Sequence, residues 1–135
     1  MLKLIVGLKG SGKTKELIEM VNKAAEETNG SVICLEKGNK LMHEIGYRTR
    51  LVDTEEYGIS DAVSLYGMVA GMYASNHDIT HIFIDSALKI CNNDIDGFVG
   101  FVQKTAEFGE KNGVQLVFTS SIAQEDLPES LKNYL

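Results

Sequence analysis

One stretch limits what this chain can fold into more than any other: Leu2–Thr14, Leu-Lys-Leu-Ile-Val-Gly-Leu-Lys-Gly-Ser-Gly-Lys-Thr. A short apolar run with β-branched residues ends in a glycine-rich turn, and helical spacing begins directly after it. Gly7-x-x-x-x-Gly12-Lys13-Thr14 satisfies every fixed position of the phosphate-binding pattern G-x-x-x-x-G-K-[ST]. The spacing has a physical reason. Gly10 and Gly12 adopt backbone angles that a side chain would forbid, so successive N–H groups, that of Ser11 among them, turn inward as an anion nest. The following helix adds its unpaired N-terminal donors and the positive end of its dipole. Lys13 brings a charge to the β- and γ-phosphates, and the Thr14 hydroxyl is placed to ligate Mg²⁺. The nucleotide-binding set read from this stretch is Gly7, Lys9, Gly10, Ser11, Gly12, Lys13, Thr14 and Lys15. Lys9 and Lys15 flank the turn and read equally well as phosphate contacts or as solvated surface.

The rest of the chain alternates strand and helix patterns. Leu17, Ile18, Val21, Ala24 and Ala25 recur at helical spacing from Lys13 to Thr28, and Asn29-Gly30 stops that helix. Ser31–Leu35 is a continuous apolar run, as a strand buried on both faces requires, and Glu36 stands at its end. Asn39–Tyr47 is expected as a short helix, Arg48–Val52 as a brief strand, and Asp53–Glu56 as an acidic loop. Ser60 is expected to cap a helix reaching Ser75, with Val63, Tyr66, Val69, Ala70 and Tyr73 inward. Gly67 and Gly71 either weaken that helix or mark close packing on the sheet. Thr80–Asp85 reads as a buried strand, and Asp94 opens a helix through Phe98, Val99, Phe101, Val102 and Ala106. Val114–Thr119 is the last strand. Asp126, Pro128 and Glu129 suggest a capped C-terminal helix.

Such alternation implies parallel strands joined by right-handed crossovers. The expected fold is α/β: a three-layer sandwich whose mostly parallel sheet of about five strands carries helices on both faces. Residues 1–135 form one domain, with neither repeat nor linker. Ligands of such sheets lie beyond the carboxyl ends of the strands, here Gly7, Glu36, Asp53, Asp85 and Thr119–Ser121. Asp85, ending an apolar strand downstream of a phosphate-binding turn, is the expected second anchor of Mg²⁺. Its alternative use is to cap whatever follows the strand.

In order and rough length this arrangement resembles the RecA-like branch of P-loop NTPases across most of the chain. The resemblance rests on the first (Walker A) motif at Gly7–Thr14, on Ile84-Asp85-Ser86 as the second, and on the strand order between them. It implies ATP as ligand with Mg²⁺, Glu36 as the residue that orients the attacking water, and Thr119 or Ser120 as the γ-phosphate sensor. Glu36 equally reads as an ordinary strand-end carboxylate. The chain departs from the family in having no room after Thr119 for the extra strands of a full RecA-like core, so recombinase activity is not implied. Ser86 occupies the place where many P-loop ATPases carry a glutamate. Arg48 and Arg50, the only arginines, have no context that marks a finger.

Three functions follow from the residues: a slow Mg²⁺-dependent ATPase, a nucleotide-dependent switch that barely hydrolyses, or a small-molecule kinase. The last rests on Ser11–Ile18, which is similar to the first helix of thymidine kinases, although that family's Asp-Glu second motif and cysteine-bearing lid are missing. No guanine-reading N-K-x-D occurs, and the base stays open between adenine and guanine. RecA-like sites often complete themselves with a neighbour, so a homo-oligomer or a protein partner is compatible with the pattern.

Composition narrows the remaining classes. A formal charge of −6 argues against a broad nucleic-acid-binding face. Cys34 and Cys91 are too few for a disulfide scaffold and form no C-x-x-C pair. His43, His77 and His81 lack a second ligand at zinc spacing. Neither a secretory segment nor a membrane span is evident, and the expected address is the cytoplasm.

Overall fold

Apolar runs too short to make helices become the strands. In the computed structural model, which describes residues 1–135, these are β1 (Leu2–Gly7), β2 (Ser31–Glu36), β3 (Thr49–Asp53), β4 (Ile79–Ile84) and β5 (Gln115–Ser121). They form one five-stranded sheet in the order β1-β5-β4-β2-β3, and every pairing is parallel. Four α-helices complete the regular structure: α1 (Lys13–Glu27), α2 (Ala62–Ser75), the one-turn α3 (Ala87–Ile90) and α4 (Ile95–Asn112).

The central strands are buried on both faces, and the period of two sorts their side chains into two cores. Ile33, Leu35, Ile82, Ile84, Leu116 and Phe118 pack with Leu65 and Val69 of α2 and with Phe98, Phe101 and Val102 of α4. Val32, Cys34, Phe83 and Val117, their neighbours along the strands, pack instead with Leu17, Val21 and Ala24 of α1. The layers are therefore α1, sheet, then α2 and α4. Each fully buried Leu, Ile or Phe here contributes about 1.5–3 kcal/mol of transfer free energy, before the entropy of ordering it is subtracted.

The chain enters at β1, crosses by α1 to β2 and steps outward to β3. It then returns by α2 to β4 and by α4 to β5, which lies between β4 and β1. The segments leaving β1 and β4 thus go to opposite faces of the sheet. Their divergence opens a crevice above the carboxyl end of β5, the usual place for a ligand in an open α/β sheet.

Several expectations need correction. Asn39–Tyr47 is not a helix but a looped segment with a single turn, closed by Glu44 N and Ile45 N donating to Leu41 O. Its ends are pinned from outside. The Glu36 carboxylate accepts Lys40 N and Leu41 N, while Asn22 of α1 donates to Glu44 O and accepts from Gly46 N. Leu41 and Ile45 are buried, whereas Met42 is exposed. The acidic stretch after β3 forms a 3₁₀ turn, Thr54–Tyr57, capped by Asp53.

Asp61, not Ser60, caps α2, in a capping box with Ser64. Of the residues expected inward, Val69 is buried and Tyr66 and Tyr73 pack half-buried against the core, but Val63 is 84% exposed and Leu65 is buried instead. Gly67 and Gly71 lie on the outer side with open space where a Cβ would stand, so neither packs on the sheet. The C-terminal segment is 3₁₀ (Gln124–Asp126 and Glu129–Tyr134) without a side-chain cap, because the N-cap residues, Ala123 and Pro128, carry no side-chain acceptor. The short α3 had no counterpart among the expected elements.

Candidate functional site

The glycine-rich turn between β1 and α1 has the backbone that its sequence demands. Gly10 and Gly12 have φ of 86° and 87°, the left-handed region that favours glycine. A Cβ at Gly7 would stand 2.5 Å from Ser11 Oγ, so the turn closes only over a bare backbone. Gly12 occupies the N-cap position of α1 and no side chain caps the helix, which leaves its first-turn N–H groups to a ligand. Lys13 Nζ donates to Leu8 O at 3.2 Å, folding its charge over the turn.

Opposite the turn, the ends of β4 and β5 present a polar chain. Thr14 Oγ1 donates to Asp85 Oδ1 at 3.1 Å, and Thr119 Oγ1 donates to the same oxygen at 2.7 Å. Thr119 Oγ1 also accepts Ser86 N at 2.8 Å. Both threonines use Oδ1, so Oδ2 of Asp85 has no partner within the chain. Next to them Ser120 Oγ accepts Leu88 N and donates to Thr119 O. Asp85, Thr119 and Ser120 are all buried, so this network fixes the Asp85 carboxylate rather than leaving it to solvent.

Ser86 takes the left-handed conformation, φ 59°, and turns the chain from β4 straight into α3. A non-glycine residue in this region is uncommon. Here the Thr119 bond to Ser86 N holds it.

The cleft framed by these parts has a volume of about 580 Å³. Gly10, Gly12–Lys15, Asp85, Ser86 and Ser121 line it together with Lys9, Lys40, Leu41, Glu44 and Lys89. Five lysines therefore face one aspartate and one glutamate, in a protein whose overall charge is −6. Neither of the two ion pairs in the chain, Met1 N-terminus with Glu110 and Lys132 with Glu129, involves a cleft lysine.

Glu36 lies at the carboxyl end of β2, 2% exposed, and its two carboxylate oxygens each accept a backbone N–H, from Lys40 at 3.1 Å and Leu41 at 3.2 Å. Burial pushes its pKa above the usual carboxylate range. The nearby negative charges of Asp85 and Asp53 add to the rise, and the two N–H bonds oppose it. The Cys34 thiol, beneath the same carboxylates, is driven far above its ordinary value, chiefly by burial.

The structure thus brings Gly10, Gly12, Lys13, Thr14, Lys9, Lys15 and Asp85 to one cleft. Gly7 and Ser11 shape the turn beneath it, and Thr119 reaches the cleft through Asp85. Glu36 sits behind the Lys40–Leu41 segment, not among the lining residues. Sequence reasoning missed Lys40, Glu44 and Lys89. Lys89 did leave a signal: it is the one charge in the apolar run Ala87-Leu-Lys-Ile-Cys91. No group of three or more His, Cys, Asp or Glu side chains gathers in the chain, and the oxygen donors at the cleft are the Thr14 hydroxyl and the Asp85 carboxylate.

Comparison with known proteins adds no assignment: no protein-family model matches the chain, and no curated protein matches it at a significant level. No helix is long and apolar enough to cross a membrane.

Proposed function

We propose that this chain is an ATP-binding P-loop protein of RecA-like topology that hydrolyses ATP slowly with Mg²⁺. The observation that carries the reading is the bonded set Thr14–Asp85–Thr119, which ties the glycine-rich turn to the two strands beside it across one lysine-lined cleft. A chance match of the motif in a surface turn would not require a buried carboxylate aimed at its threonine.

The donor set also suits the metal. Octahedral Mg²⁺ with bonds near 2.0–2.1 Å has neighbouring ligand oxygens about 2.9 Å apart. Thr14 Oγ1 and Asp85 Oδ1 are separated by 3.1 Å. Thr14 and Asp85 would hold the ion, which when bound neutralises phosphate charge. The uncapped N–H groups of α1 bind the phosphate oxygens, and Lys13 leaves Leu8 O to join them. Thr119 keeps Asp85 oriented, and its only O–H is committed to that carboxylate. Contact between Thr119 and a γ-phosphate therefore takes an exchange of this bond. Glu36 has lone pairs beyond the two that accept Lys40 N and Leu41 N, but it lies behind that segment and outside the cleft lining, so it orients a water only where the segment moves aside.

Phosphate release from MgATP, with Lys13→Ala run alongside, tests this function. Turnover at least about tenfold above that variant supports it, as loss of a charged phosphate contact requires. Equal rates refute the hydrolytic part.

One observation favours a second reading, a nucleotide-dependent switch. Glu36 and Lys13 are both engaged with backbone groups of loop segments, at Lys40–Leu41 and Leu8. A ligand that draws either away changes the relative stability of two loop arrangements, which is what a switch requires. Nucleotide-dependent hydrogen exchange at residues 38–46 without phosphate release identifies this case, and unchanged exchange rejects it.

A further inference from the structure

Lys13 accounts for only one of the five lysines in the cleft, and the motif gives no role to Lys40 or Lys89. We propose that these two form a cationic pair, supplied within the same chain, that contacts the terminal phosphate and makes the site selective for nucleoside triphosphates over diphosphates. This rests on the nucleotide-binding reading above.

The mounting of Lys89 is the main observation. In the run 87–91, Ala87, Leu88, Ile90 and Cys91 are all buried, and Lys89 alone is exposed. The turn that carries it is braced by Ser120 Oγ accepting Leu88 N and by Thr119 Oγ1 accepting Ser86 N. The three non-glycine residues with positive φ in the whole chain, Ser86, Asn92 and Asn93, stand at its two ends. Backbone strain of this kind persists only where the surroundings over-determine it. The outcome is a rigid one-turn pedestal directly after Asp85 that offers one side chain, a cation.

Lys89 has open space on both sides. It lines the 580 Å³ cleft and also a neighbouring cavity of about 250 Å³ bounded by Lys37, Glu55, Ser60 and Asn92. Its exposed side chain is therefore not locked by packed groups on either side. Lys40 comes from the loop after β2, the strand that pairs with β4, and the buried Glu36 carboxylate fixes its backbone through Lys40 N and Leu41 N. Glu36 is thus also a positioning residue for Lys40.

Charge decides between the nucleotides. A bound triphosphate brings about four negative charges and its Mg²⁺ two positive ones, to which Lys13 and Asp85 add one of each sign. Lys9, Lys15 and Glu44 add one net positive charge, so about one negative charge remains to attract Lys40 and Lys89. A diphosphate brings one charge fewer and lacks the group at the far end of the chain of phosphates, so the pair has little to hold.

The test measures MgATP and MgADP affinities by titration calorimetry for the unmodified protein, Lys40→Gln, Lys89→Gln, Lys89→Arg and, as a control for net charge, Lys111→Gln. Lys40, Lys89 and Lys111 are exposed, so the folds are retained, which thermal melting verifies. The expected result is a loss of about tenfold or more in MgATP affinity for each cleft Gln variant, as for a charge-assisted contact. MgADP affinity and the Lys111→Gln variant stay within about twofold, and Lys89→Arg recovers most of the loss. An ATP-to-ADP affinity ratio that is unchanged in both cleft variants overturns the proposal. An unmodified protein that binds neither nucleotide overturns the underlying reading, and this inference with it.

Discussion

Replacing Thr119 with valine gives the sharpest test of how the Asp85 carboxylate is held. Valine is close to threonine in shape but has no hydroxyl, so the substitution removes the donor and acceptor with little change of volume. Thr119 is 1% exposed, donates to Asp85 Oδ1 at 2.7 Å and accepts Ser86 N at 2.8 Å. A hydrogen bond to a charged group is worth about 1.5–3 kcal/mol, and an orphaned buried N–H costs about 1–3 kcal/mol. The two share one network and do not add fully, so a destabilisation of about 2–4 kcal/mol is expected. Urea unfolding followed by circular dichroism reads it directly. With a slope of about 1–3 kcal/mol per M, the midpoint falls by about 0.7–4 M. Thr119→Ser keeps both bonds and loses one methyl group, a cost of about 1 kcal/mol. A valine variant within about 0.5 kcal/mol of the serine variant would refute the network, because hydroxyl loss would then cost no more than methyl loss.

Three further outcomes follow from the same structure. Glu36 has a raised pKa in the folded state, so the native protein retains a proton that the unfolded chain releases, and the stability due to Glu36 falls as pH rises from about 4.5 through the raised value. Urea titrations across that window should show this decline for the unmodified protein and not for Glu36→Gln; equal pH slopes would contradict it. In α2, Gly67→Ala meets open space and should stabilise by about 0.5–1 kcal/mol. In α4, a Cβ at Gly109 would stand 2.7 Å from Leu116 Cδ1 and 2.9 Å from Val114 O, so Gly109→Ala should destabilise by about 1–3 kcal/mol, and thermal melts of the two variants should move in opposite directions. Cys34 and Cys91 are buried, with the Cys91 thiol pushed up to about 12, so neither should react with a thiol reagent at neutral pH until the protein unfolds; rapid labelling of the native protein would contradict that burial.

Where a residue's role is set by local spacing, the sequence made it legible. The glycine-rich turn and the buried strands follow from short-range patterns, and Asp85 was legible as the end of an apolar strand, although its bond to Thr14 spans 71 residues. Asp94 and Gly113 bound α4 as their cap chemistry requires. Roles set by tertiary context were not legible. On α2, Val69, Tyr66 and Tyr73 face the core as their spacing implies, but apolar residues surround the helix, so periodicity alone does not distinguish Leu65 from Val63. The segment 39–47 carries helical spacing, yet Glu36 and Asn22, from other elements, capture its backbone groups. The same capture places Lys40 at the cleft. Lys89 reaches it only because Ser86 adopts a left-handed turn, which no residue pattern announces.

The central claim is that the cleft above β5 holds a magnesium nucleotide, and direct calorimetric titration of MgATP into the purified protein and into Lys13→Ala tests it most closely. Saturable binding to the unmodified protein, weakened about tenfold or more in the variant and lost on chelating Mg²⁺, is the expected result. Absence of binding to the unmodified protein, or equal affinity in both, would contradict the account.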